Sequence, residues 1–205
     1  MRTRTLRLLT LLTMLVFLSS CGTTPPRNLS NSCEIFGEKG GWYKHAWRSY
    51  KKWGVPVSVQ MAIIYQESRF VHDAKTPRRK LLWVIPWFRQ SSAFGYGQVK
   101  TATWKWYKKS TGKRFVDRDK FKDVVYFIGW YSNQSHRRNG IAKTDAYNLY
   151  LAYHEGHGGY ARKTYRRKKW LLKVARKVQQ RAHSYSRQMQ RCQHKLKKGW
   201  RIWPF

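Results

Sequence analysis

From Leu171 to Cys192 the apolar side chains fall at Leu171, Ala175, Val178, Ala182, Tyr185, Met189 and Cys192, alternating steps of four and three residues. That spacing lines up on one side of an α-helix and on no other regular structure. It predicts a long C-terminal helix over about 168–194, with one apolar seam that other elements must cover. The rest of the chain supplies further helices. Gly41 to Trp53 carries Trp42, His45, Ala46 and Ser49 on one side, Gly54 ends it, and Pro56 suits the start of the next. Phe121, Val124, Val125, Ile128 and Tyr131 mark another, with Asp117 or Asp119 near its start. Ala146, Leu149, Tyr150 and Tyr153 mark one more, broken at "EGHGGY". The expected fold class is all-α.

One segment departs from this pattern. "KTPRRKLLWVIPWFRQS", Lys75 to Ser91, has two prolines and a hydrophobic centre. It reads as an inserted hairpin or lid over about 75–91. Trp83, Pro86, Trp87 and Phe88 suit a cover for a cleft, a membrane-lying surface, or a packed hairpin.

The helix after Pro56 raises a chemical question. Val59, Ala62, Ile63, Gln66 and Glu67 share one face, and Val57, Met61, Ile64 and Ser68 form a neighbouring stripe. Glu67 therefore projects from a buried helix near its C-terminal end, where the helix dipole disfavours negative charge. A lone ionised carboxylate there is costly unless paired, protonated or used. Carboxylates are also scarce, at 9 Asp+Glu against 43 Lys+Arg and a formal charge of +34.

Such a charge implies a polyanionic neighbour, while 11 Trp, 13 Tyr and 41% hydrophobic residues argue for a folded domain. The N-terminus narrows the choice. Arg2, Arg4 and Arg7 precede the apolar run Leu8 to Leu18, the layout of a bacterial export signal over residues 1–20. Leu18-Ser19-Ser20-Cys21 resembles the lipobox of bacterial lipoproteins, which implies lipidation at Cys21; the alternative is an ordinary secretory signal with a chance cysteine. Residues 21–40, with "TTPPRNLSNS" at Thr23 to Ser32, read as a flexible tether before a domain over 41–205. Cys33 and Cys192 then remain as an even pair in a disulfide-permissive compartment, either bridged or as two free buried thiols. Export argues against nucleic acid as the partner of the basic surface. The C-terminal "GWRIWPF" is expected to dock on the domain.

Three segments, in order, resemble the lytic transglycosylase SLT domain, a lysozyme-like family that cleaves peptidoglycan. They are Glu67-Ser68 in "AIIYQESRF", Gly95-Tyr96-Gly97-Gln98 leading to Val99 and Thr103, and Ala152-Tyr153-His154-Glu155-Gly156. Tyr96 and Gly97 stand where the family has Leu-Met, and His154 where it has Asn. The resemblance implies Glu67 as the catalytic acid and base. It also implies that Ser68, Gln98, Tyr96, Tyr153 and His154 position Glu67 or the substrate. The family's single Glu first protonates the leaving oxygen, then serves as base on the muramoyl C6 hydroxyl, giving a 1,6-anhydro product without water.

An acid that must be protonated near neutral pH fits a carboxyl in an apolar pocket. Asp73 and Glu155 are the candidates for a second carboxylate in a hydrolytic muramidase. The structural alternative is a buried Glu67 bonded to Tyr153 or to backbone amides, in an inactive protein that grips the envelope by charge. "HEGH", His154 to His157, has histidines three apart rather than the four of a helical zinc motif, so no metal and no cofactor are expected. The expected protein is a monomeric periplasmic lipoprotein, held at the inner leaflet of the outer membrane and acting on peptidoglycan glycan strands.

Overall fold

A computed structural model describes residues 24–76, 78–81, 85–89 and 91–201, of which 78–81, 85–89 and 197–201 are described by backbone alone. The export signal, Cys21, Trp83 and residues 202–205 lie outside the described residues. So do the side chains of Pro86, Trp87 and Phe88. The expectations for the lipid anchor, the aromatic insert and the docking of "GWRIWPF" therefore fall there.

Helices α1 (Ser32–Glu38), α2 (Trp42–Trp53) and α3 (Val57–Ser68) come first. A hairpin of β1 (Arg78–Leu81) and β2 (Ile85–Arg89) follows. Then come α4 (Thr101–Thr111), α5 (Phe121–Asn139), α6 (Ala146–Ala161), a 3-10 turn (Thr164–Arg167) and α7 (Lys169–Arg201). The domain is helical, its two named strands belonging to the insert. These strands are antiparallel, with Leu81 opposite Ile85 and Arg78 opposite Arg89, and a bulge between Arg78 and Lys80. An isolated bridge between Lys75 and Phe94 closes the neck of the insert.

Helix α3 is the centre of the packing. Val57, Val59, Met61, Ala62, Ile63 and Ile64 are all buried, because α2, α5 and α7 surround it. Each such large aliphatic side chain contributes roughly 1.5–3 kcal/mol on burial. The seam of α7 does what its spacing requires, with Leu171, Ala175, Val178, Ala182 and Tyr185 buried against α3 and α6. Aromatic rings fill much of the remaining core. Trp42 of α2 stacks flat on Phe121 at the start of α5, with centroids 3.9 Å apart. Where α2 crosses α5 the backbones come close at Gly129, at which an added Cβ would lie 2.3 Å from Ser49 Oγ.

The N-terminal boundary differs from expectation. Part of the segment read as a tether is helix α1, and its Ile35 and Phe36 are buried in the core. Asn31 caps it by accepting from the Cys33 amide at 3.0 Å. The Ser32 amide donates to Gln188 Oε1 at 2.8 Å, and Tyr185 donates its hydroxyl to Leu29 O. A disulfide joins Cys33 to Cys192 across a sequence separation of 159, tying α1 to α7. The folded domain thus begins before residue 41. Two turns with two buried apolar residues are too short for periodicity to reveal; tertiary contacts and the bridge stabilise them.

Candidate active site

Helix α3 ends in Arg69, whose backbone takes the left-handed conformation (φ 50°) while its amide still donates to Tyr65 O at 2.9 Å. Glu67 therefore sits in the last turn, on the wall of a cleft of about 540 Å³. The residue keeps intermediate exposure because it faces this cleft. Protein encloses the carboxyl elsewhere, and that burial pushes its pKa up to about 7, against a smaller lowering by the neighbouring Tyr150 phenol. No Lys or Arg forms an ion pair with Glu67 among the described residues. A carboxyl in this setting is protonated in part near neutrality and can give or take a proton there.

Tyr150 and Tyr153 stand near it, and Tyr131 lines the same cleft. Burial, followed by the charge of Glu67, raises the Tyr150 and Tyr153 phenols far above their ordinary value. Burial pushes Tyr131 up to about 12. These phenols stay protonated.

The two phenols of α6 divide their work. The Tyr150 phenol lies close enough to Glu67 to lower the carboxyl's pKa, and the Glu67 charge in turn raises the phenol's. Tyr153 donates to the Gly97 carbonyl at 2.6 Å. The structural alternative pairs Glu67 with Tyr153 or with backbone amides; Tyr153 instead gives its hydroxyl to Gly97, and Tyr150, one turn earlier, is the phenol that lowers the Glu67 pKa. Tyr150 looked like a core residue of an apolar face, and it is 4% exposed. Its signal in the sequence was a phenol three residues before Tyr153, on the same side of the helix.

The glycine-rich turn is held from several sides. The Gly95 amide donates to Ala74 O at 2.9 Å and the Tyr96 amide to Arg118 O at 3.2 Å. Gly95 has φ +76°, and a Cβ there would lie 1.9 Å from Arg118 O, so glycine is required on both counts. Gln98 lines the cleft in the left-handed conformation (φ 46°). Its Nε2 donates to Ala74 O at 2.7 Å and to Gly95 O at 3.0 Å. Those donations join the neck of the insert to the turn, and the insert's feet, at Thr76, Ser91 and Ala93, form one rim of the cleft.

Other predicted residues lie elsewhere. Tyr96, expected at the substrate, is 3% exposed and packs its ring against Trp42 and Phe121, at 5.7 and 5.8 Å. It is absent from the cleft wall, because the turn directs it into the aromatic core. Ser68 is also off that wall; its hydroxyl donates back to Ile64 O at 3.4 Å within its own helix. His154 does reach the cleft, with Nδ1 3.0 Å from Glu155 Oε1 and its ring edge-on to Trp170.

The candidate second carboxylates part ways. Glu155 lines the cleft, yet Lys168 donates to it at 2.7 Å and Thr164 and His154 also bond it. Burial would raise its pKa, but those bonds outweigh burial and bring it to about 2. Asp73 is off the cleft wall, beside His72 at 3.7 Å. The histidines of "HEGH" take separate partners. Gly156 (φ 75°, ψ 160°) breaks α6 between them, and His157 Nε2 meets Ser135 Oγ at 3.0 Å while its ring stacks on Tyr131.

Comparison with known proteins adds one finding. The sequence profile of the family described as the transglycosylase SLT domain matches residues 9–192. Neither the curated proteins nor the solved structures give a match. A match over most of the chain, together with a cleft that gathers Glu67, Gln98 and Tyr153 from three separate segments, establishes that the chain belongs to the transglycosylase SLT-domain family.

Proposed function

We propose that this protein is a lytic transglycosylase that cuts peptidoglycan at the β-1,4 bond between N-acetylmuramic acid and N-acetylglucosamine, with Glu67 as its acid and base. Membership of the SLT family ties the chain to transglycosylase-type chemistry on peptidoglycan. The observation that carries the finer reading is Glu67 itself: a carboxyl on the cleft wall, raised to about 7 by burial, with no cation paired to it among the described residues.

The glycan strand lies in the cleft with the scissile oxygen at Glu67. Protonated Glu67 gives its proton to that oxygen as the bond to muramoyl C1 breaks. The carboxylate so formed removes the proton from the C6 hydroxyl of the same sugar, whose oxygen bonds C1 and closes the 1,6-anhydro ring. The proton returns to Glu67, and no water is consumed. Tyr150 orients the carboxyl, while Tyr153 and Gln98 hold the turn that forms the opposite wall. A single acid/base suits this site, since Glu155 is committed to Lys168 and Asp73 lies off the cleft wall. Hydrolysis to reducing ends would call for a second, free carboxylate.

Export, lipidation at Cys21 and residence at the inner leaflet of the outer membrane complete the proposal. The basic surface then meets anionic lipid headgroups and peptidoglycan carboxylates.

The test is mass spectrometry of purified peptidoglycan digested by the protein and by Glu67→Gln. Anhydro-muropeptides from the parent alone support the reading. Reducing-end products replace it with a hydrolase. Intact peptidoglycan with both folded proteins replaces it with a non-catalytic cell-wall binder.

A further inference from the structure

A second cavity, of about 570 Å³, lies between α3 and α7. It shares no residue with the Glu67 cleft. Ala62, Tyr65, Gln66 and Arg69 form its α3 wall. Their spacing puts them on one side of the helix, roughly 140° from Glu67 at about 100° per residue. Val174 and Val178 of α7 supply an apolar floor, and Lys177, Arg181 and Ser184 supply polar groups.

The charges around this cavity are of one sign. Arg69, Lys177 and Arg181 line it, and no Asp or Glu does. None of them has an ion-pair partner among the described residues. Lys177 and Arg181 are four residues apart on α7, a spacing at which like charges repel. Arg181 is held in place by its guanidinium, 3.6 Å above the Tyr65 ring. Arg69 is set by backbone: it and Phe70 both have left-handed φ, 50° and 62°, a conformation L-residues seldom adopt in succession. Phe70 is fully buried in the core, which anchors that conformation. Neutral donors complete the wall, from Gln66 and Ser184.

We infer that this cavity is an oxyanion-binding site, taking a carboxylate or phosphate group, distinct from the glycan cleft. Guanidinium groups recognise such groups through paired, charge-assisted hydrogen bonds. An occupant removes the repulsion between Lys177 and Arg181. The inference is independent of catalysis at Glu67, so Glu67→Gln keeps the site.

The experiment follows the arginine Nε–H resonances of the full chain by NMR during titration with inorganic phosphate. A parallel titration uses an acetylated dipeptide with a free C-terminal carboxylate. Saturable shifts of the Arg69 and Arg181 resonances are expected. The double variant Arg69→Gln/Lys177→Gln should weaken binding on the order of tenfold or more, the loss of two charge-assisted contacts. Lys108→Gln/Lys109→Gln on α4 serves as the charge-matched control and should leave binding unchanged. Arg181→Gln alone, with its fold checked by circular dichroism, should give the same loss as the double variant. Tighter binding of phosphate assigns a phosphate source, and tighter binding of the peptide a carboxylate source. Linear shifts without saturation, equal losses in both double variants, or equal binding of the peptide's C-terminal amide would overturn the site and leave only diffuse attraction to a basic surface.

Discussion

Tyr153 of α6 donates its hydroxyl to the Gly97 carbonyl at 2.6 Å, so the helix that carries the Glu67-facing phenol and the turn that carries Gln98 are locked together. The fit is tight, since a Cβ at Gly97 would lie 2.9 Å from that hydroxyl and 3.0 Å from Val124 Cγ1. Tyr153→Phe should cost about 1–2 kcal/mol, the price of leaving a buried carbonyl unpaired. Gly97→Ala should also destabilise, through steric displacement of Tyr153. Urea denaturation measures both. Muropeptide release should fall further in Gly97→Ala than in Tyr153→Phe, because it moves the cleft wall itself.

Glu67→Gln should abolish product release while making the fold more stable at alkaline pH. Removing an acid/base group costs on the order of 10²–10⁴ in rate. The stability effect follows from linkage. The folded carboxyl has its pKa raised from 4.5 to about 7, so the native state holds the proton more tightly than the unfolded chain. Stability contributed by the protonated carboxyl is full below about pH 4.5 and falls as pH rises through about 7. At roughly 1.4 kcal/mol per pH unit the ionised form costs about 3 kcal/mol. The melting temperatures of the two proteins should coincide near about pH 4 and separate by about pH 8, with Gln higher.

Glu155 has the opposite sign. Its folded pKa is lowered to about 2, so its contribution is present above the ordinary carboxylate pKa and is lost as pH falls through about 2. Glu155→Gln should destabilise near neutrality by about 2–3 kcal/mol, since Lys168 and Thr164 lose a charged acceptor. The deficit should shrink in acid. Denaturant midpoints across the acid range test this, and a constant deficit would contradict it.

Reducing the Cys33–Cys192 bridge should loosen α1 from α7 before the rest of the domain opens. Loss of such a bridge typically costs about 2–4 kcal/mol. Hydrogen exchange should show the amides of α1 losing protection first, while those of α3, buried on nearly all sides, keep it. Equal loss across both helices would count against a local role for the bridge.

Gly129→Ala should separate α2 from α5, because the added methyl meets Ser49 Oγ and the Trp53 ring at 2.3 and 2.9 Å. Overpacking of this kind costs about 1–3 kcal/mol. Pairing it with Ser49→Ala should not restore the full stability, since Ser49 also donates to Val125 O at 3.0 Å.

Local pattern determined the long helices of this protein. The four-and-three spacing of Leu171 to Tyr185 is periodic over many turns, and its apolar face became the buried face of α7. The same logic placed Glu67 at the end of a buried helix, and it set the Lys75–Ser91 segment apart from the helices. Periodicity acts within one element, so it could not say which elements meet. Only the tertiary structure decided that Tyr153 gives its hydroxyl to Gly97 while Tyr150 is the phenol that acts on the Glu67 carboxyl. It likewise turned Tyr96 into the core beside Trp42, and it committed Glu155 to Lys168. Helix α1 belongs to the same class, a short helix stabilised by partners more than 150 residues away rather than by its own pattern. Spacing along a chain fixes which face of an element is apolar. The partner of a polar group on that face depends on distances between elements, and those are set when the helices pack.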